Sequence, residues 1–203
     1  MTDVRTPHTL HTAHTADLAP AELEAIRALL TAAFEGDFDE ADWDHTVGGV
    51  HAVLREGGEL IGHGSVVQRR LLHGGRALRT GYVEGVAVRA DRRGRGHGAA
   101  VMDALERVLR GAYELGALSA SQGAAEFYAA RGWQRWRGPT SVLAPDGLRR
   151  TEEDDGSTFV LPAGGASGAA YAGVAAGALV TSSGVPLDPA GALVCDWRDG
   201  DVW

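Results

Sequence analysis

The chain has 203 residues, 44% of them hydrophobic, which suits one compact domain with a real core and leaves little room for two. Lys and Arg number 19 against 27 Asp and Glu, a formal charge of -8 that argues against nucleic acid and fits either a cationic small molecule or plain solubility. No apolar run approaches the roughly 20 residues of a membrane span, and the start lacks a leader pattern. The single cysteine, Cys195, cannot form an intrachain disulfide, so a cytoplasmic protein with no membrane partner is expected.

Residues 1–16 are polar, with His8, His11 and His14 three apart among threonines. On one helix face such spacing could hold a metal, but no carboxylate or thiolate stands beside it, so a first strand with a loose start, and no metal, is expected. Pro20, Leu23, Ile26, Leu30 and Phe34 predict an amphipathic helix over 20–34. An acidic loop, Glu35 to Asp44, follows with Phe38 and Trp43 in it. Charge runs are usually solvated surface, yet carboxylates beside rings are also what a polycation would meet, which keeps Asp37 as a candidate. Residues 50–54 and 60–68 read as strands joined at Gly57-Gly58, and 69–78 as a hairpin turning at Gly74-Gly75.

Residues 82–102 carry the clearest chemistry. Val86 and Val88 alternate with Ala87 in a partly buried strand, and Val101, Leu105, Val108, Leu109 and Ala112 recur at helical spacing. Between them Arg93-Gly94-Arg95-Gly96-His97-Gly98 forms a turn whose N–H groups, helix start and arginines suit a pyrophosphate. The turn lacks the G-x-x-x-x-G-K-[ST] of a P-loop, and its glycines do not make G-x-G-x-x-G. Arg93, Gly96 and Gly98 do fill [QR]-x-x-G-x-[GA] after a strand and before a helix, which resembles the acetyl-CoA loop of the GNAT acetyltransferases. Further on, 117–119 predicts a strand, 124–131 a short helix capped by Gly132, and 133–136 with 141–144 a closing pair of strands. Residues 163–184 are small and uncharged and read as a mobile insertion. The acidic, aromatic stretch 195–203 has two tryptophans that are expected to be packed.

Taken together, Glu35-Gly36-Asp37-Phe38, Gln68-Arg69-Arg70-Leu71, Gly81-Tyr82-Val83-Glu84-Gly85-Val86-Ala87-Val88, Gly138-Pro139-Thr140-Ser141-Val142-Leu143 and Cys195 to Trp203 resemble the aminoglycoside 2'-N-acetyltransferases of the mycobacterial chromosomal type. Only the extreme start and the 163–184 stretch fall outside the resemblance.

The resemblance implies one α/β GNAT domain over 1–203: a mixed, mostly antiparallel central sheet flanked by helices, with splayed central strands holding acetyl-CoA. Val86, Ala87 and Val88 would offer backbone groups to pantetheine, the Val86 N–H would polarise the thioester carbonyl, and Arg93 to Gly98 would hold the pyrophosphate. Glu84 matches the family's candidate base, acting through water; its other reading is a structural carboxylate paired with a nearby arginine. Tyr128 matches the donor to the departing sulfur; its other reading is core packing. Asp37, Asp154, Asp201, Trp203 with its carboxylate, Ser119, and the backbone around Glu84 and Gly85 would meet the polycationic substrate, with Asp155 as the alternative to Asp154. A homodimer is implied. Two other functions stay open: acetylation of another polyamine or amino sugar, and binding of acyl-CoA or drug without turnover.

Overall fold

In the computed structural model, residues 8–163 and 179–203 are described. They form two compact units, one from the residues up to Val67 with Val83–Arg107, the other from Gln68–Tyr82 with Val108–Trp203.

In the first unit β1 (His8–His14) pairs antiparallel with β2 (Val50–Glu56), which pairs antiparallel with β3 (Glu59–His73). Helix α1 (Pro20–Ala33) opens on a proline whose missing N–H costs the first turn nothing. It buries Ile26 and Leu30 against Leu18, Val53 and Ala87, with Leu23, Phe38 and Trp43 around them. Each such aliphatic side chain contributes on the order of 1.5–3 kcal/mol. The strand expected at Val86 to Val88 is the end of β4 (Arg76–Val88), which continues from the second unit. Its Ala87 joins the α1 cluster, while Val86 lies on the side of helix α3 (His97–Ala112), so helices cover both faces. At Gly64 on β3 an added Cβ would stand 2.8 Å from Leu105 and 3.1 Å from Val101, so α3 packs there onto a strand position without a side chain.

The acidic loop is partly helical, which corrects the expectation. Helix α2 (Glu40–Thr46) starts on a capping box: the Asp39 carboxylate accepts from the Ala41 and Asp42 N–H groups at 2.8 and 3.1 Å, and Asp42 accepts from the Asp39 N–H at 2.9 Å. Glu40 is paired with Arg27. Three acids of the run are therefore spent on structure.

In the second unit the strand order is β6-β9-β5-β4-β3-β12-β7-β8, with β5 (Leu115–Ser119), β6 (Gln134–Arg135), β7 (Thr140–Ala144), β8 (Gly147–Arg150), β9 (Thr158–Pro162) and β12 (Leu193–Asp196). β4 with β5 and β12 with β7 are parallel, while β12 with β3, β5 with β9, β6 with β9 and β7 with β8 run antiparallel. This is the mixed, mostly antiparallel sheet that the resemblance implies. The β4–β5 ladder has three pairs, Thr80 with Leu115, Gly81 with Gly116 and Tyr82 with Ala117, and β4 runs on for six residues past Tyr82. Helix α4 (Ala125–Ala130) ends at Gly132, whose φ of 89° lets it take the left-handed cap position.

Arg69 ties β3 to β12. Its side chain is fully buried, Nε donates to Asp196 Oδ1 at 2.9 Å, Nη2 donates to the Asp196 carbonyl at 2.7 Å, and the guanidinium lies 4.8 Å from the Tyr82 ring centre. Of the 163–184 stretch, 164–178 lie outside the described residues, and so does the mobility expected there. The Ala163 N–H donates to the Glu114 carbonyl, and β10 (Leu179–Val180) pairs with β11 (Pro186–Leu187). Among the described residues no helix is long and apolar enough to cross a membrane.

Candidate active site

The first unit carries the predicted cofactor residues and Glu84. Gly85 has a φ of 54°, a left-handed conformation inside a strand, and an added Cβ would meet Thr46 Oγ1 at 3.1 Å and Leu30 at 3.2 Å. The strand is therefore bent at Glu84-Gly85, immediately before Val86-Ala87-Val88. One side chain of β3 holds this bend by its carbonyl, His63 Nδ1 lying 2.9 Å from the Gly85 oxygen, and Ser65 Oγ packs 3.4 Å from the Glu84 oxygen. Glu84 and Val86 are half-buried.

Past Val88, the chain makes a short 3-10 turn and enters the Arg/Gly loop. Gly94 and Gly96 have φ of 73° and 85°, and an added Cβ at either would meet nothing within 4 Å. These glycines are there for their dihedral angles and leave an exposed backbone. The helix α3 that follows is 16 residues long, with its first-turn N–H groups at the loop. This donor set fits a pyrophosphate. Two side chains differ from the simplest reading of the motif. Arg93 braces the loop, its Nε donating to the Val88 carbonyl at 3.0 Å and its Nη2 to the Ala33 carbonyl at 3.3 Å. His97 is turned inward and buried, edge-on to His8 with ring centres 4.9 Å apart. Arg95 is exposed.

The three N-terminal histidines diverge, because spacing by three on a strand alternates faces. His8 faces Glu56 at 3.4 Å, His11 faces Glu22 at 3.9 Å, and the His14 ring accepts from the Ala16 N–H. His8, Glu56 and His97 do bring their ligand atoms within 4.8 Å of one another, but Glu56 is already bound by Arg92 at 2.6 Å. Asp37 is exposed just past α1, its N–H donating to the Phe34 carbonyl at 2.9 Å.

The second unit carries the remaining candidates. Tyr128 is buried on α4 between the rings of Trp133 and Phe159, with centres 6.1 and 6.3 Å away. It is thus a core residue as well as a candidate donor. Burial pushes its hydroxyl up to about 12, so it keeps its proton throughout the neutral range. Ser119 is exposed at the end of β5, donating to Ser157 Oγ at 3.1 Å.

Geometry separates Asp154 from Asp155. Asp155 is consumed: it accepts from the Thr140 N–H and Oγ1 at 3.0 Å each and is ion-paired with Arg150, which holds it down at about 2. Asp154 is half-buried, and desolvation, then the Asp201 charge, pushes it up to about 6. Asp201 itself accepts from the Trp203 N–H at 3.2 Å. The buried Trp203 ring is fixed by its Nε1–H donating to Thr151 Oγ1 at 3.0 Å, so Asp154, Asp201 and Trp203 belong to one local assembly. Cys195 is buried, with Sγ 3.3 Å from the Val202 carbonyl, and burial pushes its thiol up to about 12. A thiol held protonated in this way is a poor nucleophile.

Residues that the sequence did not single out include Thr15, His51, His63, Ser65 and Thr151. The only signal was histidine inside the apolar strands V-H-A-V and I-G-H-G, which reads equally well as a satisfied core group.

Residues 21–133, which hold the Arg/Gly loop between β4 and α3, match the family model described as acetyltransferase (GNAT) family. The chain belongs to the GNAT acetyltransferase family. Over 97% of its length, and 92% of its relative's, it is 53% identical to an aminoglycoside 2'-N-acetyltransferase of Mycolicibacterium fortuitum. Among solved structures it is similar to the GNAT family N-acetyltransferase YhbS of Escherichia coli, determined in complex with CoA, with 14% identity and a TM-score of 0.56 over 96% of this chain and 92% of that one. It is also similar to an acyl-CoA N-acyltransferase of Pseudomonas aeruginosa, with 18% identity and a TM-score of 0.55 over 76% and 99%. At these identities the structural likenesses establish the fold.

Proposed function

We propose that the protein transfers the acetyl group of acetyl-CoA to the 2'-amine of aminoglycosides by direct attack of the amine on the thioester. The observation that carries the substrate assignment is the 53% identity, along nearly the whole chain, to the M. fortuitum enzyme of that name. The chain's own acids support it. Asp154 and Asp201 raise each other's need for a counter-cation, and charge-assisted hydrogen bonds to ammonium groups would supply one. Asp37, Ser119, Trp203 and the backbone at Glu84 and Gly85 complete the proposed substrate contacts.

In this reading the N–H groups of Arg93 to Gly98 and the start of α3 hold the pyrophosphate, and the backbone of Val86 to Val88 holds the pantetheine arm. When bound, acetyl-CoA supplies the thioester carbonyl that the amine attacks. Glu84 takes the ammonium proton through water, leaving the neutral amine as nucleophile. As the C–N bond forms and the C–S bond breaks, the Val86 N–H stabilises the carbonyl oxygen, Tyr128 gives its proton to the sulfur, and the proton shed by the acylated nitrogen returns through water to the phenolate. Burial that holds the Tyr128 phenol up at about 12 keeps it protonated and able to hydrogen-bond the departing sulfur, while making it a weaker acid than an ordinary phenol. We read the chain as one acetyltransferase domain, homodimeric by the same resemblance and cytoplasmic by its single cysteine.

The test follows free-thiol release from acetyl-CoA with two aminoglycosides matched except at position 2', one bearing an amine and one a hydroxyl. Turnover with the amine alone is expected. Equal turnover would sink the 2' assignment, and none would favour other amines or a binding protein.

A further inference from the structure

A line of hydrogen bonds runs through the first unit to the bend in β4. Thr15 Oγ1 lies 2.7 Å from His51 Nε2, His51 Nδ1 lies 2.9 Å from His63 Nε2, and His63 Nδ1 lies 2.9 Å from the Gly85 carbonyl oxygen. Both histidine residues are 0% exposed. We infer that Thr15, His51 and His63 form a one-way hydrogen-bond chain that positions the Gly85 carbonyl, and through it the Glu84 carboxylate and the Val86 N–H, for acetyl transfer; the inference rests on the function proposed above.

The direction follows from which atoms can donate. A carbonyl only accepts, so His63 Nδ1 must carry a proton. A neutral His63 then has a bare Nε2, which requires a proton on His51 Nδ1. That leaves His51 Nε2 bare in turn, and it must accept from the Thr15 hydroxyl. Thr15 Oγ1 is suited to the end of such a chain, because it accepts from the Gly48 and Gly49 N–H groups at 2.8 and 3.2 Å. The chain can be reversed in part only by adding a proton at His63. Then His63 and His51 would both donate toward Thr15, whose hydroxyl would turn to the Gly49 carbonyl at 3.2 Å.

Burial opposes that proton. His63 is pushed down to about 3 by desolvation and then by His51; His51 is pushed down to about 4 by desolvation and then by His14, with Glu22 opposing. Both rings therefore stay neutral at working pH, and every dipole in the line points the same way, so that each bond strengthens the next.

What the line holds is a bend that only a glycine makes without strain. Gly85 is in the left-handed region; its carbonyl is bonded by His63, and the Glu84 carbonyl lies 3.4 Å from Ser65 Oγ on the same face of β3. In a regular strand successive carbonyls point to opposite sides, so this arrangement exists only at the bend. Ser65 Oγ also lies 2.8 Å from the Thr46 carbonyl, which anchors the serine that faces Glu84. A misplacement on the order of 1 Å at a reacting group costs about a hundredfold in rate.

The test has two arms. In the unaltered protein, histidine-ring nitrogen NMR should find His51 and His63 as Nδ1–H tautomers that do not titrate between about pH 5 and 8. An Nε2–H tautomer at either ring, or titration in that window, overturns the inference whatever the enzyme acetylates. In the second arm, His63→Leu keeps bulk but loses the donor, and should lower kcat for the 2'-amine by about tenfold to a hundredfold while KM for acetyl-CoA stays unchanged. His63→Asn, whose amide nitrogen can stand in for Nδ1, should recover most of that loss. Wild-type kcat in His63→Leu, or no rescue by Asn, counts against positioning. If His63→Leu does not fold, Thr15→Val takes its place, and an unchanged kcat there is the overturning result. Should the wild-type protein fail to turn over any 2'-amine, the proposed function fails first and the inference with it, which the wild-type control makes plain.

Discussion

The indole N–H of Trp203 donates to Thr151 Oγ1 at 3.0 Å, and the Thr151 hydroxyl donates to Thr140 Oγ1 at 3.0 Å. The last residue is thereby fixed to the strand β7 that also feeds Asp155. Thr151→Val leaves the buried indole N–H without its acceptor, at a cost of about 1–3 kcal/mol. We expect a raised KM for the amine and an unchanged KM for acetyl-CoA, read by steady-state kinetics in both substrates; a change confined to acetyl-CoA would remove Trp203 from the substrate side.

If Asp154 meets the amine as proposed, substrate capture is expected to depend on pH. Its folded value of about 6 lies above the ordinary 3.8. As pH falls through about 6 the carboxylate is protonated in the fold before it would be in the unfolded chain, so its electrostatic penalty is relieved and this group's contribution to stability rises, while its attraction for a cation is lost. KM for a 2'-amine substrate should therefore climb between about pH 7 and 5, and Asp154→Asn should flatten that climb. An Asn variant with the wild-type pH profile would assign the titration elsewhere.

Gly85→Ala tests the bend in β4. The left-handed backbone costs a non-glycine residue about 1–2 kcal/mol, and the new methyl would press on Thr46 Oγ1 at 3.1 Å. Loss of kcat larger than the loss of thermal stability explains is expected, because the strain falls beside Glu84. Full activity would mean that the bend tolerates a side chain and does not aim the carboxylate.

Asp196→Ala removes the carboxylate partner of the Arg69 guanidinium and leaves its bond to the backbone carbonyl of that position. The Arg69 side chain is 0% exposed whereas Asp196 is 40% exposed, so water can compensate in part. The cost should lie near the low end for a broken buried pair, about 3 kcal/mol by urea unfolding. A loss under about 0.5 kcal/mol would put the pair among surface ion pairs.

Asp39→Ala removes the cap of α2 and should cost about 1 kcal/mol in the same unfolding measurement. Asp37→Ala, two residues away, should leave stability unchanged and raise KM for the amine. The reverse pattern would exchange the roles of the two acids.

Residues close together in the chain were legible from the sequence. The apolar spacing of α1 and α3, the V-x-V strand and the Arg/Gly turn are local patterns, because helix and strand periods and the dihedral needs of glycine act over a few residues. The acidic run from Glu35 to Asp44 shows the limit: composition could not tell that Asp39 and Asp42 close a capping box while Asp37 stays outside it. Nor could it choose between Asp154 and Asp155, since the choice turns on Thr140 and Arg150, supplied by β7 and β8. The inward turn of His97, the bracing role of Arg93 and the line from Thr15 to Gly85 were likewise decided only by tertiary structure. Each depends on groups that lie far apart in sequence, and hydrogen-bond direction and desolvation exist only once the fold has brought those groups within about 3 Å and removed the water between them.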